Sequence, residues 1–442
     1  MAFRENSSSF QTPRRWAGLS WLLRLSYPER IVAYICLANF LTKLIFELAL
    51  GMWWYKLSTT ILFMFVCFLS LDHAVWLARG QFRGVPADRP LLITVLIWLV
   101  MTVHGVLIGI LQNQSTTTLV IDTVPVLLAL ISIVRFGLMP KINFFDSYER
   151  LKHIVFAAAI ANVAVGFVAV SMGLPSRASP GSHVFAFMAA LQFVTIAKMS
   201  WGRRFWIEVL VFWGIFAASI EDINRSTLAT IGGLFLLSLI LRMRFDIRGG
   251  IAGLLMAALF PFILFSIVPE GSKTYVRLNN MINGEQTESS VSLNSRKLEK
   301  QQITAELERG GGSTKLLGLG HGGTYEFNVY GDVDPNHSNA HYASAYMMLR
   351  YGMLGSAYLY AIAASLLLGL WVSLRNGSNM ALFIGALNLT AFIYLFTWVY
   401  FLFFCMGLTY FIYAKNLRQW KDPARPSKNM TDEFGQLTAK AL

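Results

Sequence analysis

Apolar residues run through this chain in blocks of about 18–22, separated by short polar turns. That block length crosses a hydrocarbon core of about 30 Å when coiled as a helix. Twelve such helices are expected, over 31–50, 57–78, 91–112, 119–138, 153–173, 184–199, 205–220, 227–241, 250–268, 353–374, 380–397 and 399–414. The last two come from one apolar stretch too long for a single helix, divided near Thr397. The one long polar interruption follows the ninth block, at about 269–340. The expected fold is therefore all-α: one polytopic membrane domain over 1–442, about twelve transmembrane helices, and one large loop carrying short amphipathic helices.

Composition agrees. Of 442 residues, 55% are hydrophobic and only 14% charged, and the mean hydropathy is +0.52; soluble domains carry about 25% charge. No segment is long and polar enough to fold around a separate soluble core. The N-terminal run through Arg30 is basic and serine-rich, and the apolar block after it is too long for a cleavable leader, so none is expected. The three cysteines, Cys36, Cys67 and Cys405, all fall in apolar blocks. That leaves no disulfide framework and no cysteine-based metal site.

The net charge of +13 would suit nucleic acid in a soluble protein, but its distribution points to a membrane. With the N-terminus placed in the cytoplasm, about 25 of the 37 Lys and Arg residues fall in the tails 1–30 and 415–442 and in the turns on the same side. The short turns on the opposite side hold only Lys56, Arg177 and Arg225. This asymmetry is the positive-inside pattern, and it sets both termini in the cytoplasm and the long loop outside. The lipid bilayer is the expected partner and nucleic acid is not.

Cations on the outer side then need another reason. Arg225, in "EDINRSTLATIGG", opens the eighth block, where free N–H groups and the helix dipole favour an anion. An interfacial anchor is its plainer reading. In "SLNSRKLEKQQITAELERGGGSTKLLGLGHGG", residues from Ser295 to about Arg309 are expected to form an amphipathic helix lying on the membrane. Ser295 would be its N-cap, Leu298, Ile303 and Leu307 its apolar face, and Glu299 and Glu306 would point outward. Arg296 would sit in the first turn. "GLGHGG" reads as a flexible glycine turn, a weak phosphate loop without the lysine and hydroxyl residue of that motif. In "NAHYASAYMMLRYGMLG", His341 opens the pattern that runs into the tenth block; a capping or satisfied histidine is the plain alternative. Two arginines and a histidine on one side match an anionic headgroup, above all a diphosphate, with the imidazole free to handle a proton.

At these residues the sequence resembles the O-antigen ligase and O-antigen polymerase superfamily (WaaL-like and Wzy-like membrane glycosyltransferases). His341 and Gly352 fit its histidine-to-glycine spacing, and Gly355 completes the following Gly-x-x-Gly. Arg296 followed by "LLGLG" (Gly318, Gly320), and Arg225 in "NRSTLAT", fit its two upstream elements. The likeness spans roughly Ile220 to Leu374. Tyr342 stands where Asn is common, and Asn224 where Ser is common. His337, in "NHSN", competes as the functional histidine, but the matching gap from it ends at Met348 instead of a glycine.

The resemblance implies a bacterial inner-membrane enzyme with a periplasmic active site. It would transfer a glycan, with inversion, from undecaprenyl diphosphate to a hydroxyl of an acceptor glycan. Arg225 and Arg296 would steady charge on the diphosphate. His341 would take or orient the acceptor proton, and Gly318, Gly320, Tyr342 and Gly352 would line the substrate. No cofactor or metal is expected. A flippase and a chain-length regulator are implied partners. Polymerisation of surface-polysaccharide repeat units is favoured over ligation to lipid A core, because the short outer turns lack a second cationic cluster for a phosphorylated core.

Three rivals remain from the residues alone. Asp332 and Asp334 have the D-x-D spacing of a metal-dependent transferase, against a solvated turn before Pro335. Lys43 with Glu47, His104 and Asp122 are ionisable residues within blocks, as in a lipid-oligosaccharide flippase or other transporter. A peptidoglycan-type polymerase of the shape and division group would use an acid of the outer loop, Asp332 or Asp334.

Overall fold

The computed structural model describes residues 25–50, 57–80, 89–137, 144–174, 181–198, 202–221, 225–243, 247–267, 288–329, 332–337, 340 and 343–395. The expected block 399–414, the terminal segments 1–24 and 415–442, and 269–287 of the long loop lie outside them.

The chain is an all-α bundle. In order come α1 (Tyr27–Thr42), continued by a π-helical segment Lys43–Ala49, then α2 (Leu57–Ala78), α3 (Arg89–Leu111) and α4 (Thr116–Gly137). They are followed by α5 (Phe144–Ser171), α6 (Ser182–Lys198), α7 (Arg203–Glu221), α8 (Arg225–Met243) and α9 (Ile247–Ile267). Two polar-region helices, α10 (Glu288–Arg309) and α11 (Gly311–Leu317), lead to an antiparallel ribbon of β1 (Tyr325–Val329) and β2 (Asp332–His337). The long α12 (Ala343–Asn376) and α13 (Asn379–Leu395) complete the described residues. Eleven of the twelve expected blocks thus lie on helices, with ends shifted by a few residues.

Among the described residues, five helices are long and apolar enough to cross a membrane: Thr60–Ala78, Leu92–Leu111, Thr116–Arg135, Ser147–Ser171 and Ala343–Asn376. Only 28–39% of each apolar window is buried inside the protein. Leu71, Leu92, Ile93, Leu96, Ile121 and Ile160 all point outward, each more than half exposed. Water would not tolerate that much continuous apolar surface, and a bilayer supplies its counterpart. The protein is an all-α membrane protein.

Inside the bundle, α6 is deeply enclosed: Phe185, Phe187, Phe193, Val194 and Ile196 are almost wholly buried against α7, α8 and α13. Small residues permit that crowding, with Ala186, Ala189, Ala190 and Ala197 in the same helix. A second packing group joins α1, α2, α4 and α5, and a third joins α3, α4, α11 and α12.

Helix α10 differs from the sequence reading. It starts at Glu288, so Ser295 is not its N-cap and Arg296 lies in its interior, not in its first turn. Its buried face is Glu299, Ile303 and Leu307, while Leu298 is exposed. The reason is angular. Leu298 is five positions from Ile303, about 140° around a helix of 3.6 residues per turn, whereas Glu299, Ile303 and Leu307 recur every four. Glu299 is tolerated inside because Tyr325 donates its hydroxyl to Oε1 at 2.8 Å. Burial and that carboxylate push the Tyr325 phenol pKa well above its ordinary value. Gln302, one turn on, donates to the Asn328 carbonyl at 2.8 Å, so α10 holds the ribbon along its edge.

Candidate functional site

The glycine turn "GLGHGG" is not a loose connection. Leu319 N–H donates to the Leu349 carbonyl at 2.8 Å, Gly320 N–H to the Arg350 carbonyl at 3.0 Å, and His321 N–H to the Gly105 carbonyl at 2.7 Å. Those first two carbonyls are available because α12 breaks at Gly352, whose φ of 59° and ψ of −141° are not helical. A break of this kind releases carbonyls of the preceding turn from their intrahelical donors. The extended glycine segment takes them up.

Glycine is required on both sides of this crossing. A Cβ on Gly352 would lie 2.5 Å from the Leu316 carbonyl oxygen, and one on Gly318 2.5 Å from the Tyr351 and Gly352 nitrogens. Each glycine leaves room for the other's backbone. On the opposite side, Gly105 and Gly109, one turn apart on α3, open a groove for the residues 320–321: a Cβ on either would strike His321, and one on Gly320 would strike Gly109. Three of the residues singled out by sequence, Gly318, Gly320 and Gly352, therefore meet in one place.

Around this crossing lies a buried polar network (Asp122, Thr123, His104, His321, Tyr346, Arg350, Tyr351 and Tyr358). Asp122, at the start of α4, is its hub. Its carboxylate pairs with the Arg350 guanidinium at 2.8 Å, accepts the Gly322 N–H at 2.6 Å and accepts the Tyr346 hydroxyl at 3.2 Å. Arg350 is fully buried and also donates to the Gly323 carbonyl. His321 is fully buried between the Thr123 hydroxyl (Nδ1, 2.9 Å) and the Tyr351 hydroxyl (Nε2, 2.8 Å). Thr123 donates its own proton to the Leu119 carbonyl at 2.6 Å, so its oxygen accepts from Nδ1–H and Nε2 accepts from Tyr351. Burial, reinforced by the Arg350 guanidinium, lowers the His321 pKa to about 3. It is a neutral, fully bonded ring and has no proton to trade near pH 7. His104 on α3 donates Nε2–H to the Leu317 carbonyl at 2.9 Å, which ties the end of α11 to the same bundle.

The expected catalytic residues stand differently. His341 and Tyr342 lie outside the described residues. Arg225 is the first residue of α8 and Arg296 lies within α10, but the side chains of both lie outside what is described. His337 is described: its Nδ1 pairs with Asp334 at 2.9 Å, and its ring stacks on Phe327 at 4.7 Å. Asp334 is thus engaged with a histidine, and among the described residues no three His, Cys, Asp or Glu side chains gather as metal ligands. Lys43 is buried on the π-helical segment, while the Glu47 side chain lies outside the description.

Sequence reasoning named His104 and Asp122 only as isolated ionisable residues, read "GLGHGG" as flexible, and passed over Arg350. A signal was present. Arg350 is a lone cation directly before an apolar block. A lone Arg and a lone Asp at the same end of two spans are partners by default.

Compared with models of known protein families and with curated protein sequences, the chain matches none.

Proposed function

We propose that this protein is an undecaprenyl-diphosphate-dependent glycosyltransferase of the bacterial inner membrane. It joins surface-polysaccharide repeat units at the periplasmic face, with both termini in the cytoplasm. The observation that supports this reading is the close approach of Gly318 to Gly352, with the Gly320 N–H bonded to the Arg350 carbonyl beside them. Gly352 lies more than thirty positions after Gly318 and Gly320 and is grouped with them by resemblance alone, yet its backbone packs on that of Gly318. In this reading Arg225 and Arg296 hold the donor diphosphate and stabilise charge as it leaves. His341, two residues before α12, accepts or orients the proton of the attacking hydroxyl.

The test is genetic and chemical. A null strain should make single repeat units but no long chains. Long chains accumulating on undecaprenyl diphosphate would instead identify a ligase acting on lipid A core. Arg225→Lys and Arg296→Lys should each cost about 2–4 kcal/mol of transition-state stabilisation at normal protein levels, since Lys cannot form the bidentate phosphate contact. His341→Ala should abolish transfer and His337→Ala should leave much of it. Unchanged glycan output from the lysine and His341 variants would refute the assignment.

A further inference from the structure

The first turns of α12, Ala343–Tyr351, form an arm whose direction the rest of the helix does not set. The break at Gly352 interrupts the hydrogen-bond ladder, and the Leu349 and Arg350 carbonyls bond the glycine segment instead. An arm freed in this way takes its angle from tertiary contacts. Its polar holds are Tyr346 to Asp122, Arg350 to Asp122 and Gly323, and Tyr351 to His321. Asp122 joins all three parts: it sits on α4, receives the arm through Tyr346 and Arg350, and receives the glycine segment through Gly322, and Arg350 and His321 each span the same three parts from their own side.

Stability alone does not account for this pair. Desolvating a carboxylate and a guanidinium costs several kcal/mol per ion, and apolar residues of the same volume often serve stability as well or better. What an ion pair adds is direction. The planar guanidinium lies against Asp122, with Nε 2.8 Å from its carboxylate, and donates from Nη1 to the Gly323 carbonyl, so contacts on two separate elements restrain the helix that carries it.

We propose that Asp122 and Arg350 are positioning residues: they lock the α12 arm against α4 at one angle and so set where the chain immediately before the arm meets substrate. The inference rests on the glycosyltransferase reading for its catalytic consequence, because His341 precedes the arm by two residues. The geometric claim stands apart from that reading.

Two conservative variants keep both charges and so protect folding: Arg350→Lys gives up the second donor to Gly323, and Asp122→Glu lengthens the side chain that carries the carboxylate. Nitroxide labels at Thr117→Cys and Ser344→Cys, both exposed, report the distance from α4 to the arm in full-length protein lacking Cys36, Cys67 and Cys405. The wild-type background should give one narrow distance, and each conservative variant a shifted or clearly broadened distribution with little change in melting temperature. Glycan transfer by the same variants should show kcat reduced about tenfold or more with KM within about twofold, as expected when reacting groups are misplaced by an ångström or less. Unchanged distances and unchanged kcat in both variants would overturn the proposal and leave the pair as ordinary packing. If the wild-type protein transfers no glycan, the functional reading fails, and the distance measurement alone decides the geometric claim.

Discussion

The two ends of α4 carry buried charge clusters of opposite design. Asp122 and Arg135 are 13 residues apart on one helix, about 20 Å along its axis. At the Arg135 end, Asp72 of α2 receives Arg135 at 2.5 Å, Arg30 at 3.1 Å and the Tyr34 hydroxyl at 3.0 Å. Arg135 also lies 4.2 Å over the Tyr27 ring and 5.2 Å over Trp76. Tyr27 donates to Ser132 at 2.9 Å, with His73 beside it. Every member sits on a continuous helix. Two guanidiniums share one carboxylate, and aromatic faces take part of the excess positive charge. At the Asp122 end, one carboxylate meets one guanidinium, and its other partners are a glycine loop and a broken helix. The first cluster fastens helix to helix. The second fastens an irregular glycine segment and a helical arm cut off from the rest of its helix. Buried charge therefore does two jobs in this protein, and whether the backbone around it is continuous tells them apart.

Substitutions should separate those jobs. The largest effect is expected at the crossing itself. Gly352→Val needs a positive φ that a branched residue rarely adopts and puts a Cβ against the Leu316 carbonyl, so destabilisation of more than about 4 kcal/mol is expected. Size-exclusion profiles in detergent should show little folded protein. A normal profile would mean that the crossing can open at small cost.

Asp72→Asn should come next. It leaves Arg30 and Arg135 without a counter-charge, a loss of about 3–5 kcal/mol for a broken buried pair. Thermal unfolding should register it. Glycan transfer per folded molecule should stay near wild type, because this end is fastening and not positioning. A kcat defect as large as that of Arg350→Lys would erase the distinction between the two ends.

The smallest effect concerns pH. The pKa of His321 is lowered to about 3 in the folded protein, against about 6.5 unfolded. Between those values the unfolded chain binds the proton and the folded chain does not, so stability falls as pH drops below about 6.5. At pH 5 the loss should reach about 2 kcal/mol relative to neutral pH. His321→Asn should flatten this dependence in melting curves recorded at pH 7 and pH 5. An unaltered slope would assign the acid sensitivity to other groups.

Much of the fold was legible in the sequence because apolar block length is a one-dimensional property. A helix that must bury all its backbone polar groups in lipid reveals itself by an unbroken run of about 20 apolar residues, and no neighbour is needed to read it. The reading failed where neighbours decide. On helix α10 Glu299 takes the buried place expected for Leu298, and it is tolerated there because Tyr325, on a strand more than twenty residues later, offers it a donor. "GLGHGG" read as flexible because glycines carry no side-chain pattern, and its order comes from carbonyls released by a break in a distant helix.

The sequence by itself determined an all-α membrane chain, since segment hydropathy acts locally and additively along the chain. The tertiary structure alone decided which ionisable residues meet. Asp122, Arg350, His321 and His104 are spread over more than two hundred positions, and pairing them requires α3, α4, the glycine segment and α12 to converge at one end of the bundle. That convergence depends on shape, on glycines that let backbones nest, and such complementarity between remote surfaces leaves no periodic trace in any one of them.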